Sequence, residues 1–408
     1  MSHIFRSRAF RDTLAGSVLL LCALALVCWP KEVSAAVREG LQLCYNVILP
    51  SLFPFFILTS LVISLGLAGY LGRLLEPIMR PVFRVGGPCA AALALGFVGG
   101  YPVGARAALT LYEEGQCTKT EAERLLAFCN NSGPAFILGV VGAGVFADSR
   151  VGLLLCLVHA LASLCVGLVF RFYRRGEDPK GRRLSPSISA QRFSTAFTGA
   201  VKGAVTSALN ICAFVVCFTV ILRLCFLSGL LPALAGLLGR LFAPLGFNEQ
   251  WARQLLTGLL ELSSGVAGLT QGGSLTGRVS MAAFLLGWAG ISVHCQVLSF
   301  LAESGLNVRT YLAGKLLHGL FSAGLTGVFL RLFPLEQSVS SYLAQQVEGI
   351  AGTDFYTALA ISTSAAWLVF LLFFLLAALG IRMGRSRPGA RHRVSPRLKK
   401  PVAKWSGI

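Results

Sequence analysis

Apolar runs of span length recur along the whole chain, each closed by polar or turn-forming residues. A membrane-crossing helix needs about 20 largely apolar residues. Segments of that kind fall at 13–30, 41–66, 87–111, 125–147, 150–170, 200–229, 252–270, 279–302, 311–333 and 357–380. Two pieces between them read differently. Over 70–85, Arg73, Arg80 and Arg84 interleave with Leu and Phe, the pattern of a short helix lying in the interface. A similar piece covers 234–247. The pattern predicts an all-α polytopic membrane protein.

The two interfacial pieces share wording. Leu71-Gly72-Arg73-Leu74-x-x-Pro77 returns as Leu238-Gly239-Arg240-Leu241-x-x-Pro244. After each comes a Gly-rich segment, Gly96 to Gly104 in the first half and Gly258 to Gly265 in the second. A span interrupted by small polar residues follows in both halves. The first carries Cys129-Asn130-Asn131-Ser132-Gly133-Pro134, the second Gly290-Ile291-Ser292-Val293-His294-Cys295-Gln296. Three features in the same order point to an internal duplication.

Composition agrees with the pattern. Of 408 residues 55% are hydrophobic and 13% charged, where a soluble domain carries about 25% charged residues. The mean hydropathy is +0.72. A soluble enzyme, a secreted disulfide scaffold and a disordered binder are excluded on these grounds. The net charge of +19 would suit nucleic acid, but its placement does not. Bases gather at Arg6, Arg8 and Arg11, in the stretch from Arg171 to Arg192, and in an acid-free tail from Arg382 to Lys404. Charge placed between and after hydrophobic spans is the positive-inside pattern of cytoplasmic loops. The tail has the Pro, Gly and Ser of a disordered segment, and its bases suit anionic lipids. The twelve cysteines form no CxxC pair, and most sit within apolar runs as small packing residues.

Charge parity then constrains the topology. If every span crossed, the 171–192 loop would lie opposite both termini. If 87–111 and 252–270 instead dip in and return on one side, all three basic blocks face the cytoplasm. The 334–356 loop, with Glu336, Glu348 and Asp354, then falls outside. The two repeats become inverted, with broken and re-entrant helices, which is the plan of secondary transporters. The resulting division is an N-terminal helix and connector at 1–40, a first repeat at 41–170 and a basic cytoplasmic linker at 171–199. A second repeat at 200–333, an outer loop and last helix at 334–380, and a basic tail at 381–408 complete it.

The candidate site lies at the breaks. Asn130, Asn131, Ser132 and Gly133 precede Pro134 in mid-span, where Pro interrupts the hydrogen-bond ladder. Ser132 suits an N-cap and Pro134 a first turn, so a new helix start would face an anion or carboxylate. The packing alternative is a Pro kink satisfied by neighbouring helices. Gly99 and Gly100 would form a hairpin tip, and Tyr101 would stack on a planar ring or serve as a plug. Glu261 is an acid inside an apolar run, followed by Ser263, Ser264 and Gly265. A charge at that depth costs several kcal/mol. It therefore suggests a coupling-ion ligand, a proton carrier, a substrate acceptor, or a partner for Arg106 or Arg223. Ser292, His294 and Gln296 occupy the second break. His159 and His318 read as helix-to-helix hydrogen-bonding residues. No Walker A, HExxH, GxSxG constellation or zinc spacing occurs, so the reading is not an enzyme. No metal or organic cofactor is expected beyond a coupling Na+ or H+.

Gly100-Tyr101-Pro102-Val103-Gly104-Ala105, followed by Glu121-Ala122-Glu123-Arg124 running on to Pro134, resembles a known family. So do Pro50-Ser51-Leu52-Phe53-Pro54-Phe55 and the stretch Gly258 to Gly265. Over roughly residues 40–330 the chain is similar to the YlbJ (SpoVV) family of sporulation integral membrane proteins, in the nucleoside-recognition gate superfamily. The resemblance implies a fold similar to concentrative nucleoside transporters. It also implies residence in the outer forespore membrane and transport of dipicolinic acid, a planar aromatic dicarboxylate. A nucleoside or nucleobase carrier and a non-transporting structural protein of spore formation stand as alternatives, and a homo-oligomer is compatible with the family. Single cysteines placed in 171–192 and in the tail are expected to react with a membrane-impermeant maleimide from the same side. Labelling from opposite sides would overturn the two re-entrant segments.

Overall fold

The computed structural model describes residues 8–66, 74–177, 192–270 and 272–335, with single helical positions at 364, 367 and 371. The Leu71-Gly72-Arg73 end of the repeated motif lies outside the described residues. So do most of the basic linker, the loop carrying Glu336, Glu348 and Asp354, the body of the 357–380 span and the tail.

Every regular element among the described residues is helical. The first is α1 (Arg8–Cys28), after which the chain turns by 99° into α2 (Pro30–Leu43). Pro30 stands in the first turn of α2, where its missing N–H leaves no bond unmade. A π-helical turn, Cys44–Ile48, joins α2 to α3 (Leu49–Ser64), and a short helical piece follows over 74–83. The expected 87–111 span is two helices, α4 (Cys89–Gly99) and α5 (Val103–Glu113). The next begins as α6 (Lys119–Leu126), fixed by a capping box between Thr118 and Glu121, and resumes as a π-helical stretch, Ala135–Val145. Then comes α7 (Ser149–Phe170), capped by Asp148.

The second half repeats this order. A long α8 (Phe193–Leu227) leads to the short α9 (Leu230–Leu241), the counterpart of the 74–83 piece. The 252–270 segment is again split, into α10 (Glu249–Leu260) and α11 (Leu262–Ala267). A broken pair follows, α12 (Leu275–Trp288) and α13 (Gly290–Leu301), and then α14 (Val308–Leu332). The sequence of long helix, short helix, split segment, broken helix and long helix thus occurs twice. Among the described residues, four stretches are long and apolar enough to cross a membrane, Ser149–Phe170, Phe193–Leu227, Leu275–Leu301 and Val308–Leu332, and the bent α1–α2 pair makes a fifth. Several of the expected spans fall short of that length because their helices stop at breaks.

Both split segments fold back on themselves. In a straight helix Gly96 and Gly104 would stand about 12 Å apart. Instead, a Cβ added to Gly96 would lie 3.1 Å from the Cα of Gly104 and against the carbonyl oxygen of Cys129. In the second half, a Cβ on Gly265 would strike the Cα of Gly258 and lie 2.6 Å from its nitrogen. Only residues without side chains allow these backbones to approach so closely. The geometry is that of two hairpins, as the charge parity requires.

The halves are fastened in several places, two of them clear of the helix breaks. An apolar cluster joins Ile137, Val141 and Leu155 of the first half to Val266, Leu269 and Leu285 of the second. At one end of the bundle, fully buried Glu123 accepts from the Asn307 backbone N–H at 3.0 Å and the Tyr173 hydroxyl at 3.0 Å. Beside it, Arg124 donates to the carbonyls of Arg84 and Tyr173. Replacing Gly96 with Ala overpacks the first hairpin and should lower stability by about 1–3 kcal/mol. Gly139→Ala, at a position with nothing within 4 Å, should not. Thermal unfolding of the detergent-solubilised protein separates the two outcomes.

Candidate functional site

The first break is unwound from Ala127 to Gly133, and several of its freed backbone groups find partners on neighbouring helices or within the break itself. The Phe128 carbonyl accepts from Ser163 Oγ at 2.7 Å and from Asn131 Nδ2 at 3.0 Å. The Ser132 N–H donates to His159 Nε2 at 2.9 Å. The Gly133 carbonyl accepts from the N–H groups of Phe136 and Ile137, both at 3.1 Å. In a continuous helix the Asn130 carbonyl would accept from residue 134, but that residue is Pro and has no N–H. Lys315 Nζ takes its place, 2.8 Å from the Asn130 oxygen.

This accounting corrects one detail of the sequence reading. Ser132 does not cap the new helix, since Pro134 itself holds the cap position and no side chain closes it. Two of the first N–H groups of that helix, those of Phe136 and Ile137, are already engaged by the Gly133 carbonyl. The positive charge at the break comes from Lys315, which the sequence reading passed over.

Lys315 lies on α14 and is 1% exposed. Its helix reaches the break because Gly314 lies directly against the backbone of Ala127, whose carbonyl a Cβ there would strike. Its ammonium also stands 4.9 Å from the centroid of the Tyr101 ring, in cation–π range. Tyr101 is therefore occupied on one face and tied by its hydroxyl to the Leu286 carbonyl. This is nearer the plug than the free stacking platform. A second tier surrounds the ammonium. His294 Nδ1 and the Tyr311 hydroxyl are 3.0 Å apart, and Asn130 Nδ2 donates to the same hydroxyl at 3.4 Å. The His159 and His318 rings lie 4.3 Å apart, and His318 Nε2 is 3.0 Å from the His159 carbonyl. These two histidines bond between helices, as expected from sequence.

Glu261 is 2% exposed and sits at the tip of the second hairpin. Neither arginine suggested by sequence is its partner. Arg223 pairs with Glu39 at 2.9 Å, and Arg106 lies over the Phe300 ring. Instead, one carboxylate oxygen accepts the Ser263 N–H at 3.0 Å and the other the Ser264 N–H at 2.7 Å, capping α11. The second break is sharper than the first. Ala289 and Gly290 both adopt φ of +82°, and a Cβ on Gly290 would lie 3.0 Å from the Leu262 nitrogen beside Glu261.

One cavity gathers the two hairpin tips and the two breaks. It is lined by Gly100, Tyr101, Ser132, Gly133, Glu261, Ser263, Ser292 and Gln296 among the residues anticipated from sequence. Phe136, Ile211, Val215, Leu262 and Val293 complete the wall. Gly99, Asn130, Asn131, Ser264, Gly265 and His294 do not line it. Asn130, Asn131 and His294 stand in the layer behind, with Tyr311 and Lys315. Three buried oxygens of the first break, Asn130 Oδ1, Asn131 Oδ1 and Ser132 Oγ, have no hydrogen-bond partner. Ile211 and Val215 come from the middle of the long α8, where no sequence signal marks them. Lys315 did leave a signal, a cation within an apolar run opposite a carbonyl orphaned by Pro.

The Gate family, described as nucleoside recognition, matches residues 46–170. The sporulation integral membrane protein YlbJ of Bacillus subtilis (strain 168) is 33% identical over 328 residues, spanning 76% of this chain and 80% of that protein. Structures of a CNTnw variant in its intermediate 2 and intermediate 1 states superpose with a TM-score of 0.49 at 15% identity. They cover 79% and 80% of this chain, and 85% and 89% of their own.

Glu261→Gln tests the hairpin cap. A carboxamide offers one acceptor oxygen for two N–H groups, and a buried donor left unpaired costs about 1–3 kcal/mol. The variant is expected to unfold at lower temperature than the wild type. Equal stability would show that the two bonds to Ser263 and Ser264 contribute nothing.

Proposed function

This chain belongs to the YlbJ family of sporulation integral membrane proteins, and from that premise we propose that it carries a small planar anion across the outer forespore membrane. Dipicolinic acid is the solute we put first. The observation that carries this reading is the meeting of both hairpin tips and both breaks at one cavity, with the uncompensated Lys315 ammonium behind it. Among the described residues, no carboxylate pairs with that ammonium. An anion in the cavity would lie near that ammonium, which stands 4.9 Å from the Tyr101 ring on the cavity wall, in a medium where charges interact strongly.

In this reading the gate match at 46–170 marks the first of two units, 41–170 and 200–333, joined by a cytoplasmic linker. The unit order described above supports that division. The termini face the cytoplasm, and the basic tail rests on anionic lipid. In this reading the protein binds and releases its solute unchanged. A nucleoside or nucleobase is the second reading, favoured by the description of the matched family and by Glu261 and Gln296, which can accept from and donate to a base or sugar.

Uptake into proteoliposomes bearing the purified protein tests both. Radiolabelled dipicolinate is expected to accumulate faster than in empty vesicles, and uridine is expected not to. Asn131→Ala is expected to reduce dipicolinate uptake by about tenfold, equivalent to about 1.4 kcal/mol, because Asn131 holds the Phe128 carbonyl. Uptake of uridine alone would favour the second reading, and uptake of neither would overturn transport.

A further inference from the structure

The unwound segment of a carrier exposes main-chain carbonyls that lack helical donors, and in broken-helix carriers such carbonyls coordinate the coupling cation. Here the Asn130 carbonyl is one of them. Pro134 deprives it of an N–H, and what lies 2.8 Å from it is the ammonium of Lys315, brought there on a helix of the other half. Three things mark the position as one built for a cation. The ammonium faces the Tyr101 ring at 4.9 Å, so that a π face completes its shell. Three residues of the break also hold partnerless oxygens able to accept, the amide oxygens Asn130 Oδ1 and Asn131 Oδ1 and the hydroxyl Ser132 Oγ. Finally, Gly314 lets α14 lie against Ala127, so the ammonium is delivered at fixed depth rather than on a floppy stem.

We propose that Lys315 is a covalently tethered cation that stands in for a coupling metal ion at the first break, leaving the carrier independent of Na+. A dissolved cation and a lysine ammonium satisfy a carbonyl equally well in charge, but the lysine cannot leave. It cannot therefore be carried down a gradient with the solute. A positive charge at that point also favours an anionic solute over a neutral one. The inference rests on the transport reading only for its consequence on uptake; occupation of the carbonyl by Lys315 stands on geometry.

The test uses the full-length purified protein and has two arms. In detergent, the melting temperature of the wild type is expected to be the same in matched concentrations of NaCl and choline chloride. Lys315→Ala opens the position. It is expected to melt lower in choline chloride and to recover part of the loss in NaCl, because an ion that binds only the folded state stabilises it. If Lys315→Ala yields no folded protein, Lys315→Gln, close to the original length, is measured in its place. In proteoliposomes, wild-type dipicolinate uptake is expected to be equal in the two salts, while the variant loses about tenfold in choline chloride, about 1.4 kcal/mol, and regains part of it in NaCl. Stabilisation of the wild type by NaCl, Na+-dependent wild-type uptake, or a variant indifferent to NaCl would each overturn the tethered cation. Absence of uptake in every salt would instead overturn the transport reading and leave the melting experiment to decide this one.

Discussion

The structure is organised around backbone that has been unwound where water cannot reach it. An N–H or C=O left bare in an apolar layer costs several kcal/mol, so a break at mid-span exists only if other helices supply its partners. Between Ala127 and Gly133 those partners are side chains of α7 and α14, namely Ser163, His159 and Lys315. Each is buried, and each would be an expensive residue anywhere else in the bundle. The burial of Ser163, His159 and Lys315 is thus a consequence of the break, and the break in turn is what places Ser132 and Gly133 on the cavity wall.

The second half solves the same problem with different chemistry. Glu261 turns its carboxylate onto the N–H groups of Ser263 and Ser264, so the hairpin tip is closed from within. The Leu259 carbonyl beside it receives the Trp288 indole N–H at 3.2 Å. The two repeats therefore share an order of elements but not an electrostatic character. One break is held by a cation, the other hairpin by an anion, and the cavity lies between unlike charges.

Much of this was legible in the sequence. Gly99-Gly100 and Gly258 to Gly265 marked the hairpins because only glycine permits the backbone contacts at Gly96–Gly104 and Gly258–Gly265. Charge parity independently asked for both segments to turn back. Asn130 to Pro134 announced an unwound stretch because no helix tolerates that run unaided. What sequence could not supply was partnership across the fold. Glu261 read as a charge within an apolar run, and Lys315, which was passed over, sits in another. Whether such a group faces a substrate, an arginine or a carbonyl depends on which helix lies opposite, and that is decided by contacts such as Gly314 against Ala127. Ile211 and Val215 escaped for a related reason. Every turn of α8 carries residues like them, and only packing selects the turn that faces the cavity.

The crossing of Lys315 from the second half to the first has a consequence for how the duplicated chain can be divided. The 127–133 break is completed by α14, and Glu123 of the first half is completed by Asn307 at the start of that same helix. A first half on its own would keep a bare carbonyl at Asn130 and a buried carboxylate without its backbone donor. The two units are thus not modules laid side by side but complementary fragments, each unfinished without the other. Dividing the chain between its halves would therefore cut through the partnerships that complete the first break and the Glu123 site.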